Sequence, residues 1–219
     1  SFAMINGAKD MYHVTLEKIR PLALILGTFS ILMIYLLTKE VYGSTVALIA
    51  SLLYATVPTA VIGSRIVQNE NFLIPVWLTS LYLIIRYLKS GKKRFRNLAA
   101  ILAGLLSLAK VPWLIAGFSL FLILAYKKKI KDGLFVSLIT AIFFSLFLLY
   151  GLYFDKDLFL NLWSLQLARY DISFSSLFST FTDPLLVDRF YLDGWIYLGW
   201  FSIILLTRDF KKHFLILIP

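Results

Sequence analysis

The sequence predicts an all-α polytopic membrane protein, and three observations lead to this fold class. Of its 219 residues, 60% are hydrophobic and only 16% are charged. The apolar residues fall in runs of about 17 or more, the length that an α-helix needs to cross the hydrocarbon core of a bilayer. These runs lack the alternation of apolar and polar residues that is typical of membrane β-barrel strands. We therefore expect a bundle of membrane-spanning helices.

The apolar runs and the connections between them predict where the chain crosses the membrane. We predict spans over residues 21–38, 45–62, 72–88, 133–153 and 190–207, a special segment over 98–126, and a last span that begins near Phe214. Two connections, "KSGKKRFRN" and "KKKIKD", are strongly basic, and the positive-inside rule places both in the cytoplasm. An even number of crossings must therefore separate them.

The segment between these two basic connections is best explained as a hairpin of two short helices. As one straight helix, residues 98–126 would measure about 43 Å against a hydrocarbon core of about 30 Å. Pro112 removes a backbone donor and disfavours helix at the preceding residue, so we expect the bend at Val111. The bend would carry Lys110 toward the outer boundary of the membrane, where Trp113 would act as an interfacial anchor.

With this hairpin, the connections alternate consistently between the two sides of the membrane. "KEVYGS", "KSGKKRFRN", "KKKIKD" and "RDFKKH" fall inside, whereas "GSRIVQNEN" and an outer loop over residues 154–189 fall outside. The net charge of +10 is thus concentrated in cytoplasmic turns, where it determines topology and attracts anionic lipid, and it does not indicate a nucleic-acid partner. Most acidic residues lie outside, so we expect any chemistry there.

The remaining composition limits the possible sites and the domain organisation. The chain has no cysteine, and His13 and His213 share no ligand spacing, which argues against a histidine metal site within this chain. Residues 1–219 are expected to be part of one transmembrane domain. The chain starts without a start methionine and stops within an apolar run, and we expect it to be incomplete at both ends.

The order of several short motifs resembles a known family. Arg20 precedes Gly27 by seven residues, "YLLTKEVYG" follows, and Pro58 ends a predicted span. Ser64-Arg65 with Glu70 comes next, then Gly104-Leu105 with Lys110 and Pro112, and "DGWIYLGW" lies near 193–200. This order resembles the GT-C membrane glycosyltransferases, in particular the dolichyl-phosphate-mannose protein mannosyltransferase type. The resemblance covers most of residues 16–126 and implies a GT-C-like helical bundle with a short-helix hairpin.

The resemblance also implies an activity, namely transfer of a sugar from a polyprenyl-phosphate donor to an acceptor on the outer face. Negative charge grows on the lipid phosphate as it leaves, so cations fixed beside it should accelerate the reaction. The candidates are Lys110, Arg65 and Arg169, with Tyr170 beside the last. A carboxylate must deprotonate the acceptor hydroxyl or hold a divalent metal, and Glu70 is the best placed in this chain. The host membrane would be the plasma membrane or the endoplasmic reticulum membrane.

The resemblance is incomplete in one respect. The principal acidic motif of the family lies in a first outer loop, upstream of the segment that begins near Arg20, and Asp10 does not replace it. We therefore expect this chain alone to lack activity. Two other function classes stay open: a non-catalytic lipid-binding subunit or scaffold, and part of a transporter, although a transporter usually shows internal repeats that are not visible here.

Each candidate residue also has a purely structural explanation. Lys110 could be a lysine whose ammonium reaches the headgroups from a hairpin tip. Glu70 and Arg65 could form an ion pair in a loop. Arg169 and Tyr170 could belong to an amphipathic helix on the membrane surface.

Overall fold

The computed structural model of the protein describes residues 16–57, 61, 70–168 and 195–207. Within these ranges the regular structure is helical, which confirms the all-α fold class. In this described part of the chain, three helical segments are long and apolar enough to cross a membrane: Pro21–Tyr42, Asn71–Ser90 and Ile130–Phe154. The helices are α1 (Leu16–Tyr42), α2 (Ser44–Thr56), α3 (Glu70–Ser90), α4 (Lys93–Ala109), α5 (Leu114–Tyr126), α6 (Ile130–Phe154), α7 (Lys156–Ala168) and α8 (Trp195–Thr207).

Three of the four predicted cytoplasmic connections lie at one end of the bundle, and the fourth, "RDFKKH", lies outside the described residues. Gly43 (φ 90°) joins α1 to α2, and Gly91 (φ 69°) lies between α3 and α4, where glycine adopts a positive φ without steric cost. Glu40 of α1 accepts hydrogen bonds from Arg86 (3.0 Å) and Lys89 (2.8 Å) of α3. The hydroxyl of Tyr87 donates to Asp132 of α6 at 2.6 Å. We call this the basic end and define it as residues 39–44, 86–96 and 127–132.

The core lies where α3, α4, α5 and α6 meet, and α1 packs on α3 with α2 outside it. The buried face of α4 is made mostly of small residues together with Leu106, whereas most of its other large apolar residues are exposed. The buried set is Ala99, Ala100, Ala103, Gly104, Leu106 and Ser107, and the exposed set is Leu98, Ile101, Leu105 and Leu108. Small residues let helices approach closely in a membrane, where lipid covers the large ones.

Glycine determines how closely α6 can pack against the helices of the hairpin. A Cβ placed on Gly104 would lie 2.7 Å from ring atoms of Phe143. A Cβ placed on Gly117 would lie 2.5 Å from Oγ1 and 2.7 Å from Cγ2 of Thr140. These distances are shorter than any ordinary contact, so the two arms of the hairpin pack this closely on side chains of α6 only because residues 104 and 117 are glycine.

Two helices have ends that differ from those of the predicted spans. The predicted span 45–62 is not one continuous helix, because α2 ends at Thr56 and Val57 is extended (φ −60°, ψ 122°). Pro58 follows Val57, and the residue before proline avoids the helical conformation. The predicted span 133–153 begins earlier, since α6 starts at Ile130 and includes Asp132 in its first turn.

The predicted outer loop 154–189 contains a helix, α7. Asp155 caps it by accepting a hydrogen bond from the backbone N–H of Leu158 at 2.9 Å. Phe159 and Trp163 pack on Phe147 of α6, with ring centroids 5.7 Å and 6.3 Å away. The other face of α7 exposes Leu158, Leu162 and Leu165. Helix α7 is therefore held on α6 by aromatic rings and exposes leucines on its other side.

Candidate functional site at the hairpin tip

The apolar segment 98–126 is broken into the two short arms that the sequence predicts. Helix α4 ends at Ala109, Lys110 is extended (φ −159°, ψ 127°), and a 3₁₀ turn over Val111–Trp113 leads into α5. The N–H of Trp113 donates to the carbonyl oxygen of Lys110 at 3.0 Å. The hairpin is therefore confirmed, with Lys110 at its tip.

The bend lies one residue earlier than predicted. Val111, where we expected the bend, already belongs to the 3₁₀ turn, and Lys110 is the residue that leaves the helical conformation. Pro112 lies in the first turn of the new helical segment, where its missing N–H removes no helical hydrogen bond. The proline is thus accommodated by starting a helix rather than by ending one, and the break moves to the lysine.

Two tryptophans fix the tip against α3. The rings of Trp77 and Trp113 meet edge to face, with centroids 6.4 Å apart and an interplanar angle of 65°. Both rings pack against the buried core that includes Leu73 and Leu106. Trp113 was predicted only as an interfacial anchor, so its partner Trp77 was missed. The signal in the sequence was that Trp77 lies near the start of the span 72–88, so that a second tryptophan was available at the same end of the bundle.

The register of α3 against α4 places the start of α3 at the height of the tip. The hydroxyl of Ser80 is buried and donates to the carbonyl oxygen of Ala99 at 3.0 Å. The two helices run in opposite directions, and ten residues separate Ser80 from Glu70 and Ala99 from Ala109. Ten helical residues span about 15 Å, and both stretches lead from the Ser80–Ala99 hydrogen bond toward the end of the bundle that holds the hairpin tip. The backbones of Glu70 and Lys110 therefore lie at the same level of the bundle, to within about one turn.

The other predicted site residues lie outside the part of the chain that the structure describes. Arg65, Arg169 and Tyr170 are in this group, as are the outer-loop residues beyond Ala168. Lys110 is exposed at the tip. Within residues 16–57, 61, 70–168 and 195–207, no group of three or more His, Asp or Glu side chains converges.

A polar cluster at the basic end was also missed. Asp132 accepts hydrogen bonds from Tyr87 and Arg96, and the guanidinium of Arg96 lies over the ring of Phe135 at 4.2 Å. In the sequence, Asp132 lies in the basic connection "KKKIKD", and nothing there distinguishes it from an ordinary charged residue of a loop. The only signal was a carboxylate among lysines, which suggests a partner but does not identify Arg96.

The fold and the hairpin define a class: a polytopic helical membrane protein whose interrupted apolar segment holds a lysine at the tip of a short-helix hairpin. A family model described as dolichyl-phosphate-mannose-protein mannosyltransferase matches residues 2–153. The chain belongs to this family. The Bacillus subtilis (strain 168) protein named "Putative mannosyltransferase YkcB" is 31% identical over 119 residues.

That alignment covers 53% of this chain and 16% of the Bacillus subtilis protein, so the chain spans about a sixth of this curated relative. No solved structure matches the chain with statistical significance. The match of the family model confirms the resemblance that the motifs indicate.

Proposed function

We propose that this chain belongs to a glycosyltransferase that moves a sugar from a polyprenyl-phosphate donor to an acceptor on the outer side of the membrane. Family membership supports sugar transfer, and one structural observation supports the site. Lys110 is held at the tip of the hairpin, at the height at which Glu70 begins α3. A cation and a carboxylate at one membrane boundary are what a lipid-phosphate leaving group and a hydroxyl nucleophile require.

The proposed reaction gives each residue one role. The acceptor hydroxyl oxygen attacks the anomeric carbon of the sugar while the bond from that carbon to the phosphate oxygen breaks. The electron pair of that bond goes to the lipid phosphate, where Lys110 stabilises the growing negative charge. The hydroxyl proton goes to the carboxylate of Glu70. Arg65, Arg169 and Tyr170 remain candidates for binding the donor phosphate.

Polyprenyl phosphate should stabilise the protein against heat through Lys110. A ligand that binds only the folded state raises its stability, and the phosphate compensates the charge of a lysine near the membrane. We expect Lys110→Met to lose most of the shift that the lipid causes. The measurement is thermal unfolding in detergent with and without polyprenyl phosphate.

The matched control for this experiment is Lys156→Met. Lys156 is an exposed lysine at the start of α7, at the same end of the bundle as Lys110. It should keep the lipid-induced shift. Equal shifts in the wild type and in Lys110→Met would show that Lys110 only reaches toward the headgroups, and the phosphate site would have to be abandoned.

The outward orientation of the hairpin tip can be tested by cysteine labelling. The chain contains no cysteine, so single substitutions need no altered background. Ser164→Cys on α7 should react with an impermeant thiol reagent added outside intact cells, and Ser90→Cys at the basic end should react only after the cells are opened. Both serines are exposed. Labelling of Ser90→Cys in intact cells would contradict the topology.

A further inference from the structure

Two basic turns at the basic end meet in space, and the proposed reaction uses neither. They are the turn between α3 and α4, with Lys92, Lys93 and Arg94, and the turn between α5 and α6, with Lys128 and Lys131 nearby. All five of these side chains are exposed. We call these five residues the basic patch.

The fold, rather than the sequence, joins the two turns. Asp132 of α6 forms an ion pair with Arg96 of α4 and accepts a hydrogen bond from Tyr87 of α3. Helices α4 and α6 run in the same direction, and the Arg96–Asp132 pair spans 36 positions of the chain. Both helices begin within one turn of this pair, at Lys93 and at Ile130, so the turns that precede them lie side by side. Packed helices lie about 8–10 Å apart, so the two turns are within about one Debye length of each other.

Several cations at this end join one helix to another, whereas Arg94 of the patch contacts only its neighbour in the same helix, with its guanidinium 4.9 Å from the ring centroid of Phe95, among the contacts that the structure describes. Arg86 and Lys89 form ion pairs with Glu40 at 3.0 Å and 2.8 Å, and Arg96 pairs with Asp132. The ammonium of Lys129 lies 4.2 Å from the ring centroid of Tyr87. These contacts hold the helices together, while the basic patch faces outward around them.

The backbone at Lys128 gives an independent reason to assign this patch a role. Lys128 has a φ of 58°, and its N–H bonds the carbonyl of Ala125 while the N–H of Lys129 bonds that of Leu124, both at 2.8 Å. This is the helix end at which glycine is usual, because a Cβ is unfavourable in the left-handed region. A lysine in this position keeps a cation in the patch at the cost of a less favourable backbone.

We propose that the basic patch is a binding surface for the headgroups of anionic lipids in the leaflet that the basic end faces. Clustered lysines and arginines beside membrane helices attract anionic headgroups, and each cation adds to the attraction. Five exposed cations from two turns can contact one or two phosphate-bearing headgroups together. The surface lies at the opposite end of the bundle from the hairpin tip, so the proposal does not depend on the proposed function.

The test measures thermal unfolding of the intact protein in a zwitterionic detergent. Dioleoyl-phosphatidylglycerol should raise the melting temperature more than dioleoyl-phosphatidylcholine does. Lys93→Gln/Lys131→Gln should lose about half of that difference, since it removes two of the five cations. Lys39→Gln/Lys156→Gln changes the net charge equally but lies outside the patch, and it should keep the full difference.

A second variant keeps the proposal testable if the double mutant does not fold properly. Lys128→Gly removes one charge but supplies the residue that the turn prefers, so its melting temperature without lipid should be equal to or higher than that of the wild type. Its response to phosphatidylglycerol should nevertheless be smaller. Sugar transfer at the other end should be unchanged in both patch variants.

Three results would overturn the proposal. One is an equal response to the two lipids in the wild type. Another is an equal loss of response in the patch variant and in its charge-matched control. The third is stabilisation by inorganic phosphate that matches that by phosphatidylglycerol, which would identify a site for a soluble anion instead of a lipid surface.

Discussion

Lys110→Met should lower the rate of sugar transfer by the intact protein about 100-fold or more, the scale of losing one fixed group that stabilises developing charge. The loss should appear in kcat, because the negative charge on the lipid phosphate is greater in the transition state than in the bound donor. Lys110→Arg should retain more activity, since it keeps the charge but not the compact ammonium geometry. The measurement is transfer from a polyprenyl-phosphate sugar in detergent or in vesicles.

Glu70→Gln is the partner variant for this site. It removes the proton acceptor while preserving the shape of the side chain, and loss of a general base typically costs about 100-fold to 10,000-fold. The protein should still fold, because Glu70 lies at the first position of α3 and the substitution preserves the size of the side chain. Lys156→Met is the charge control at the same end and should transfer sugar at the wild-type rate.

The two variants also separate the enzyme from the other function classes. Wild-type transfer rates in both Lys110→Met and Glu70→Gln would eliminate the assignment of this site. Binding of polyprenyl phosphate without any transfer by the intact wild-type protein would instead favour the lipid-binding subunit or scaffold.

The hairpin could be predicted from the sequence because two independent constraints agree on it. Segment 98–126 is too long for one crossing and its halves are too short, and both flanking connections are basic. The exact break could not be predicted, because a proline either ends one helix or begins the next. At Pro112 the second arrangement lets Trp113 pack against Trp77, a contact between residues 36 positions apart in the chain.

What the sequence could not supply is the set of long-range contacts. Helix α7 depends on Phe159 and Trp163 finding aromatic partners on α6, and its own composition did not separate it from a loop. The register that brings Glu70 level with Lys110 rests on one buried hydrogen bond between Ser80 and Ala99. Arg65, Arg169 and Tyr170 lie outside the described residues and stay predictions.

The position of Lys110 should depend on the contact between Gly117 and Thr140. Thr140 is buried and β-branched, and its hydroxyl donates to the carbonyl of Val136 at 3.0 Å, so its side chain has little freedom to move. A Cβ on residue 117 would come within 2.8 Å of three atoms of this threonine. Helix α5 would have to move away from α6, and the hairpin tip would move with it.

Gly117→Ala should therefore destabilise the protein, although alanine is the better helix former. Alanine gains about 0.8–1.0 kcal/mol over glycine in a helix interior, whereas overpacking a core costs about 1–3 kcal/mol. Because the clash involves a stiff side chain, we expect the cost of overpacking to exceed the gain in helix propensity. The melting temperature should therefore fall. The shift caused by polyprenyl phosphate should also shrink, as Lys110 leaves its position.

The matched comparison is Gly133→Ala, which has the same helix-propensity gain and also lies between α5 and α6. A Cβ at Gly133 would lie 2.9 Å from a ring atom of Phe121 and 3.3 Å from its backbone oxygen, and the ring can turn aside. Gly133 is near the basic end, so its variant should be less destabilised and should keep the response to polyprenyl phosphate. The contrary outcome is that Gly117→Ala proves as stable as the wild type, with an unchanged response to polyprenyl phosphate. Close packing against Thr140 would then not be what positions Lys110, and the contact between Trp77 and Trp113 would be the contact that holds the hairpin tip.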